Sequence, residues 1–330
     1  MTSTAAAGPD IAAVVISYNT RDLLRDCLAS LAAEPVASVT VVDNGSSDGS
    51  PEMVRAEFPS VRLIVDPSNP GFGAAANRGI RCSSERYVLL LNADTRVMPG
   101  AFENLVRYLD EHPRAAIAGP RILHPDGRLQ PSCFPFLGTA QFEIERSFLG
   151  PMLARVPLLR RRYLLQHSDH DRPRRVPWVL GAALAIRREA FEEVGGFDES
   201  YFLYAEEIDL CYRLRAARWQ VHFAPVADVV HVGGASTSQN PVRARLQNTA
   251  STLQFCRTHY SPARAAGVAA LVRAGALLRL LRARIRLLTA GAGRREQLAR
   301  DLQTHRYFYE EIRKLLGVGR YESVRDERRA

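Results

Sequence analysis

Between residues 11 and 120 the chain switches repeatedly between two hydrophobic periods. Ile11–Ser17 is an unbroken apolar run, the mark of a strand buried on both faces. Asp22–Ala33 carries Leu23, Leu24, Cys27, Leu28 and Leu31 at the spacing of one helix face. Val39–Val42 predicts a second buried strand, ending in the turn Asp43-Asn44-Gly45-Ser46-Ser47-Asp48-Gly49. Pro51–Glu57 predicts a short helix with proline in its first turn. Val61–Val65 reads as a strand, Gly73–Cys82 as a helix entered through a glycine turn, and Tyr87–Leu91 as a strand running into Asn92-Ala93-Asp94. Ala101–Glu111 then predicts a helix and Ala115–Ala118 a strand. Such alternation builds a mostly parallel sheet covered by helices on both faces. Ligands of these sheets bind beyond the carboxyl ends of the strands. Asp43, Asn69 and Asp94 all stand just past strand ends, which places them on one cleft.

Past residue 120 the pattern weakens. Residues 121–176 are rich in Pro, Arg and His and show no clear period. Val176–Ile186 reads as a strand, Arg188–Val194 as a short helix, Glu206–Ala217 as a helix and Gln220–Ala224 as a strand. Asp228–Val230 adds a strand just before His231, and beyond residue 240 the pattern is helical and basic. This predicts a disordered start over 1–10, a domain over 11–240 and a helical extension over 241–330.

Composition narrows the class. A chain of 330 residues with 46% apolar and 24% charged positions is a globular protein with a core, not a disordered chain, a collagen or a disulfide scaffold. No uncharged apolar run reaches the roughly 18 residues of a membrane-spanning helix, and residues 1–10 lack the basic and apolar regions of a secretory signal. The five cysteines stand far apart with no CxxC pair, which argues against structural zinc and fits a reducing cytosol.

The net charge of +9 is lopsided. Residues 241–330 hold 19 basic and 7 acidic side chains, whereas residues 1–240 hold 25 and 28. All the basic residues but Lys314 are arginine, as a GC-rich genome also favours. A basic C-terminal quarter points to an acidic surface, either nucleic acid or anionic lipid. Within it, residues 265–290 read as one helix with Leu277, Leu281, Ile285, Leu288, Ala270 and Ala274 on one face. Arg279, Arg282 and Arg286 cluster opposite, and Arg273 and Arg284 flank the apolar side. That is the profile of an interfacial helix on anionic lipid; the alternative is packing on the rest of the chain or on a partner subunit. No helix-turn-helix and no aromatic–basic interleaving supports nucleic acid as the partner.

Four clusters could carry chemistry, and each has a plainer reading. The Asp43–Ser50 segment has the composition of a tight turn; as a site, its Asp43 carboxylate accepts from a nucleotide base. In Asn69-Pro70-Gly71-Phe72-Gly73, continuing to Asn77, small residues let backbone approach a ligand and a helix start offers N–H groups to phosphate. Helix–sheet packing wants small residues as well. In Asn92-Ala93-Asp94-Thr95, a carboxylate after a buried strand can hold a divalent cation against a pyrophosphate, or cap a helix. Finally, Trp178 to Gly181, Gly195-Gly196-Phe197-Asp198-Glu199 and Glu206-Glu207-Ile208-Asp209 lie close in sequence. Three carboxylates within four positions repel one another and suggest a tuned base or a metal site, although Asp209 can also pair with Arg213 one helical turn on. His231, standing alone, is compatible with a structural role.

In this order and spacing, and together with Val14-Val15-Ile16-Ser17-Tyr18-Asn19 and the closing His231, these segments resemble the inverting family 2 glycosyltransferases of the GT-A fold, nearest the rhamnosyltransferase-like branch. The resemblance spans residues 11–240. It implies a Rossmann-like α/β domain with a mostly parallel central sheet and flanking helices, followed by a C-terminal helical extension. Residues 11–120 would form the nucleotide-sugar half and 121–240 the acceptor half. Ser17, Tyr18 and Asn19 would line the nucleotide, Asp43 would hold the base, and Asn69, Gly71, Phe72, Asn77, Asn92 and Asp94 would complete the donor site. Asp94 and His231 would ligate Mg2+ or Mn2+, with Asn92 first in the metal motif. Glu207 takes the place of the general base, one methylene longer than the family's usual Asp, with Glu206 as the fallback. Trp178, Gly181 and Asp209 would face the acceptor.

The implied reaction is one inverting displacement that needs no protein nucleophile. The branch points to deoxythymidine diphosphate rhamnose as donor and to a glycan or polyprenyl-diphosphate-linked acceptor in cell-surface polysaccharide synthesis. The enzyme would then work in the cytoplasm, at the inner face of the plasma membrane, with a homodimer left open. Two other readings stand beside this one. A nucleotidyltransferase of similar sheet needs a glycine-rich basic loop after the first strand, where this chain has Tyr18-Asn19-Thr20. A non-catalytic glycan- or nucleotide-binding module has no use for Asp94 or Glu207.

Overall fold

The alternation read up to residue 120 forms in the computed structural model, which describes residues 10–146, 149–162, 164–168, 170–235, 240–291 and 294–318. In order come β1 (Ile11–Ser17), α1 (Arg21–Leu31), β2 (Ser38–Asp43), α2 (Ser50–Glu57), β3 (Arg62–Val65), α3 (Phe72–Ile80), β4 (Tyr87–Asn92), β5 (Thr95–Val97), α4 (Ala101–Glu111) and β6 (Ala115–Leu123). The strand β5 is new; three residues are too few to show a period. One carboxylate starts two helices: Asp48 accepts from the Arg21 N–H at 2.8 Å and from the Ser50 N–H at 3.0 Å. Both helix starts thereby satisfy otherwise orphaned donors. The expected disordered start lies outside the described residues except for Asp10, whose carboxylate pairs with Arg86 at 2.8 Å.

The rest of the first unit comprises β7 (Leu129–Gln130), β8 (Cys133–Phe134), α5 (Ala140–Arg146), α6 (Leu149–Leu153), α7 (Pro157–Arg162), β9 (Arg174–Arg175), β10 (Trp178–Val179), β11 (Ala183–Arg187), α8 (Arg188–Glu193), α9 (Glu206–Ala216) and β12 (Gln220–His231). The single strand expected over Val176–Ile186 is therefore two. β10 pairs with β8 in a separate ribbon, β11 enters the main sheet, and Leu180-Gly181-Ala182 spans the gap. Conversely, the strands expected at Gln220–Ala224 and Asp228–Val230 are one strand, broken in register between Phe223 and Asp228.

The main sheet runs β3-β2-β1-β4-β11-β6-β12-β5, with β7 and β9 attached to β6 and β12. β3, β2, β1 and β4 are parallel neighbours, so their carboxyl ends share one edge. β11 is antiparallel to β4. Its amino end, next to Gly181, therefore lies at that same edge, and this fact assembles the site. Burial of Val14, Val15, Leu89, Leu90, Ile117 and Ile186 on the two faces drives the sheet together. Helix α3 lies so close that a Cβ on Gly79 would collide with Val14 and Val42.

The chain divides into two units, Met1–Phe202 with Glu206–Ser236, and Leu203–Ala205 with Thr237–Ala330. The second holds α10 (Pro241–His259), α11 (Pro262–Leu288) and α12 (Arg295–Val318). Asn240 and Ser261 cap α10 and α11, accepting from the Arg243 and Arg264 N–H groups. Leu246, Ala250, Ala276, Phe308, Ile312 and Leu315 form this unit's core. Among the described residues no helix is long and apolar enough to cross a membrane.

Candidate active site

Strand register brings the donor-side residues together. Ser17 pairs with Asp43, and Ile16 with Asn92, so the ends of β1, β2 and β4 are immediate neighbours. Asn19 then ties two loops: its N–H donates to Ser46 Oγ and its Oδ1 accepts from the Ser47 N–H, both at 2.8 Å. Tyr18 beside it is half-buried. Asp43 is fully enclosed, with its carboxylate accepting from the Ser46 N–H at 2.8 Å and Ser46 Oγ at 2.6 Å. In this structure Asp43 shapes the turn instead of presenting a free oxygen. The next residue does present one. Asn44 is buried, its Nδ2 donates to the Gly71 carbonyl at 3.4 Å, and its Oδ1 finds no donor among the described residues. A buried acceptor without a donor costs stability until a ligand supplies one.

The 69–73 loop closes this side. Asn69, half-buried, takes a left-handed φ of 46° and Gly71 one of 101°. A Cβ on Gly71 would run into the Phe202 carbonyl, which accepts from the Phe72 N–H at 2.9 Å. Phe72 packs edge-on against Phe197. Asn77, expected at the donor, is buried and hydrogen-bonded to the 195–199 turn. Its Oδ1 accepts from the Phe197 N–H, and its Nδ2 donates to the Phe197 carbonyl and to Glu199, each at 2.9 Å. It fastens α3 to the 195–199 turn.

Asp94 and His231, expected as a metal pair, lie side by side. His231 Nε2 lies 3.3 Å from Asp94 Oδ1, and both side chains are almost fully buried. Strand β12 delivers the histidine, pairing His231 with Thr95 of β5. Asp94 Oδ2 accepts from the Gly233 N–H at 3.1 Å. Burial pushes the Asp94 carboxyl up, but the hydrogen bond and charge of His231 and the Ala235 N–H outweigh it, so the group ionises below the usual carboxylate range. Gln130 on β7 was missed by the sequence reading. Its Oε1 lies 3.1 Å from His231 Nδ1 and holds the ring with Nε2 turned to Asp94. Among the described residues no cluster of three or more His, Cys, Asp or Glu is arranged to hold a metal. What the pair offers a divalent cation is one carboxylate group and one imidazole nitrogen, side by side and buried.

The acids at the start of α9 face different neighbours. A Cβ built on Gly73 would lie 3.6 Å from Glu206 Cβ, so Glu206 abuts the 69–73 loop. Glu207 lies over Gly181, 3.5 Å from where a Cβ there would stand, and accepts from the Gly181 and Ile208 N–H groups. One carboxyl oxygen of each acid, Oε2, has no partner among the described residues. Burial lifts Glu207 to about 7 against 4.5 for a free glutamate, with its backbone hydrogen bonds pulling the other way. Burial and then the charge of Glu207 raise Glu206 well above the carboxylate range. The Asn92 N–H donates to the Ala182 carbonyl at 3.0 Å, so the strand leading to Asp94 touches the segment that seats Glu207.

Trp178 and Asp209, both expected at the acceptor, are buried and hydrogen-bonded within the fold. Trp178 is buried, stacked on Phe134 at 4.6 Å between centroids, and its Nε1–H donates to the Pro135 carbonyl at 2.8 Å. It is a core residue with no open face for a sugar. Asp209 is 1% exposed and accepts from Arg213 Nε at 2.7 Å, while Arg213 also donates to the Val194 and Gly196 carbonyls. That ion pair braces the 194–196 turn. Gly181, expected at the acceptor, lies against Glu207.

The Glycosyl transferase family 2 model matches residues 12–195, and the Glycosyl transferase family group 2 model residues 158–289. The N-acetylglucosaminyl-diphospho-decaprenol L-rhamnosyltransferase of Mycobacterium tuberculosis is 34% identical over 261 residues, 75% of this chain and 84% of its own. The solved structure of a mannosyltransferase from Pyrobaculum calidifontis in complex with GDP-Man and Mn2+ superposes with a TM-score of 0.52 at 16% identity, covering 95% of this chain and 87% of that one. That of GalNAc-T7 with UDP, GalNAc and Mn2+ gives 0.54 at 14%, covering 95% and 58%. The two structural likenesses bear on the fold.

Proposed function

Because this chain belongs to glycosyl transferase family 2 and is a sugar-transferring enzyme of the GT-A fold, we propose that it moves L-rhamnose from deoxythymidine diphosphate rhamnose to a polyprenyl-diphosphate-linked glycan, with inversion. The name of the 34%-identical relative supports both the sugar and the acceptor class. The observation that carries the chemistry is Glu207, with an unpartnered carboxyl oxygen seated at the strand edge where Asp94 and His231 meet.

In this reading Asn44 Oδ1 accepts the N–H of a pyrimidine base, while Asp43 and Asn19 hold its loop rigid and Ser17 and Tyr18 line the nucleotide. Asn69, Gly71, Phe72 and Asn92 close around the diphosphate sugar. Glu207 removes the acceptor hydroxyl proton as that oxygen attacks the anomeric carbon opposite the diphosphate. The new carbon–oxygen bond forms as the bond to the diphosphate breaks, so one displacement inverts the centre. Asp94 and His231 would hold a divalent cation, Mn2+ or Mg2+, whose charge when bound offsets that growing on the leaving diphosphate. The Mn2+ in both structural neighbours supports this. Burial and the charge of Glu207 push Glu206 toward its protonated form, which opposes a second charge beside Glu207. The reaction belongs at the cytoplasmic side of the membrane, where a lipid-linked acceptor is presented.

The test is a transfer assay with a panel of sugar nucleotides, Mn2+ and a polyprenyl-diphosphate-linked N-acetylglucosamine, with the product anomer read by NMR. Selective use of the rhamnose donor with an inverted product is expected. Turnover of another donor would overturn the sugar, and a product of retained configuration would overturn the mechanism.

A further inference from the structure

Helix α11 carries six arginines and no acidic residue along 27 positions. Its apolar side chains fall on two faces, not one. Val268, Ala276 and Ala283 are buried on one side, where Ala276 joins the core with α10 and α12. At about 100° per residue, Leu271, Leu277, Leu278, Leu281, Ile285 and Leu288 form a second stripe on nearly the opposite side. That stripe is open: Leu271 is 60% exposed, Leu278 54%, Ile285 59% and Leu288 73%. On the same wheel Arg264, Arg282 and Arg286 run along one border of the stripe and Arg273 and Arg284 along the other. Toward the start of the helix a groove of about 790 Å3, lined by Ala266, Ala270, Ala274 and Leu277 with Arg257 and Arg273, continues the apolar surface.

We propose that α11 lies flat on an anionic phospholipid bilayer, its leucine stripe among the acyl chains and its bordering arginines on the headgroup phosphates. Leucines flanked on both sides by long cationic side chains match the boundary between hydrocarbon and phosphate, because arginine stems reach outward along apolar surface. A second copy of the chain fits poorly. A symmetric contact would set the stripe against itself and bring its arginine borders together. Nucleic acid would leave the leucines unsatisfied. The first unit repeats the composition independently around α6 and α7: Met152 is 49%, Val156 47% and Leu158 67% exposed, Arg155 is exposed beside them, and residues 149–168 hold no acid. We assign this patch as a second bilayer contact. Neither assignment depends on the transferase reading, and the test reads no turnover.

The experiment sediments the full chain with vesicles of phosphatidylcholine alone or mixed with phosphatidylglycerol. Variants are Leu278→Glu/Ile285→Glu, Arg282→Gln/Arg286→Gln and Met152→Glu/Leu158→Glu, all at exposed positions and therefore with unchanged melting curves. Wild type should bind the phosphatidylglycerol vesicles and not the neutral ones. Each variant pair should lower partitioning by about tenfold or more, and the deficit of the arginine pair should shrink at high salt. Failure of wild type to bind, or binding by Leu278→Glu/Ile285→Glu at the wild-type level, would overturn the proposal. So would conversion of a dimer to a monomer by that variant in lipid-free sedimentation velocity. Undiminished binding by Met152→Glu/Leu158→Glu would overturn the second contact.

Discussion

Replacing Glu207 with glutamine should abolish turnover and stabilise the fold, and the second effect tests the electrostatics of the site independently of any substrate. Glu207 ionises at about 7 in the folded chain and at 4.5 when unperturbed, chiefly because it is buried. The folded state therefore keeps the proton longer than the unfolded state. Stability falls as pH rises through that interval and stays lowered above it. At about 1.4 kcal/mol per pH unit, the cost above neutrality reaches about 3 kcal/mol. Glutamine cannot ionise and removes this cost. It also gives up part of the charge-assisted bonding to the Gly181 and Ile208 N–H groups, so the net gain should be about 1 to 3 kcal/mol at pH 8 and close to nothing near pH 4.5, where wild type is itself protonated. Urea unfolding followed by tryptophan fluorescence reads this directly, since Trp178 and Trp219 both lie in the unit that carries Glu207. Equal or lower stability of Glu207→Gln at pH 8, with an unchanged denaturant slope, would refute the reasoning. So would a gain independent of pH.

Three further outcomes are expected. The pH profile of kcat/KM should lose about tenfold per unit below about 7, because the base is then protonated; a flat profile down to pH 5 would exclude Glu207 as that base. Gln130→Ala, by freeing the His231 ring, should weaken Mn2+ binding in the presence of deoxythymidine diphosphate by about 10- to 100-fold, read by electron paramagnetic resonance, whereas unchanged affinity would remove Gln130 from the site. Trp178→Phe should cost about 1 kcal/mol through the lost bond to Pro135 and leave the acceptor KM unchanged; a large rise in KM would restore the ring as an acceptor platform.

What the sequence made legible followed from burial. Doubly buried strands announce themselves as unbroken apolar runs, so β1, β2 and β4 and the residues just past them could be placed, and Asp94 with them. His231 and Asp94 are far apart in sequence, and only the pairing of β12 with β5 unites them. That partnership came from resemblance, not from spacing. Other features had no local signal. Whether Asp43 or Asn44 presents a free oxygen depends on which of two adjacent side chains the turn consumes. Gln130 sits on a two-residue strand, too short for any period, inside the stretch that showed none. Trp178 and Asp209 looked like ligand contacts because aromatic and acidic residues serve both sites and cores; the Pro135 carbonyl and Arg213 decide for the core. In α11 an arginine-rich helix was expected to have one apolar face, and the alanine seam that packs inside the bundle was hidden because small residues give a weak hydrophobic signal.

The central claim is that Asp94 and Glu207 serve one reaction at one strand edge, the first holding the donor diphosphate through a cation and the second taking the acceptor proton. It is tested most directly by measuring, for the same variants, donor binding by calorimetry with Mn2+ and transfer by single turnover. Glu207→Gln should bind deoxythymidine diphosphate rhamnose as wild type does and transfer it at least about a hundredfold more slowly, while Asp94→Asn should lose Mn2+-dependent donor binding itself. Transfer by Glu207→Gln at a rate near that of wild type, or undiminished Mn2+-dependent binding by Asp94→Asn, would contradict the account.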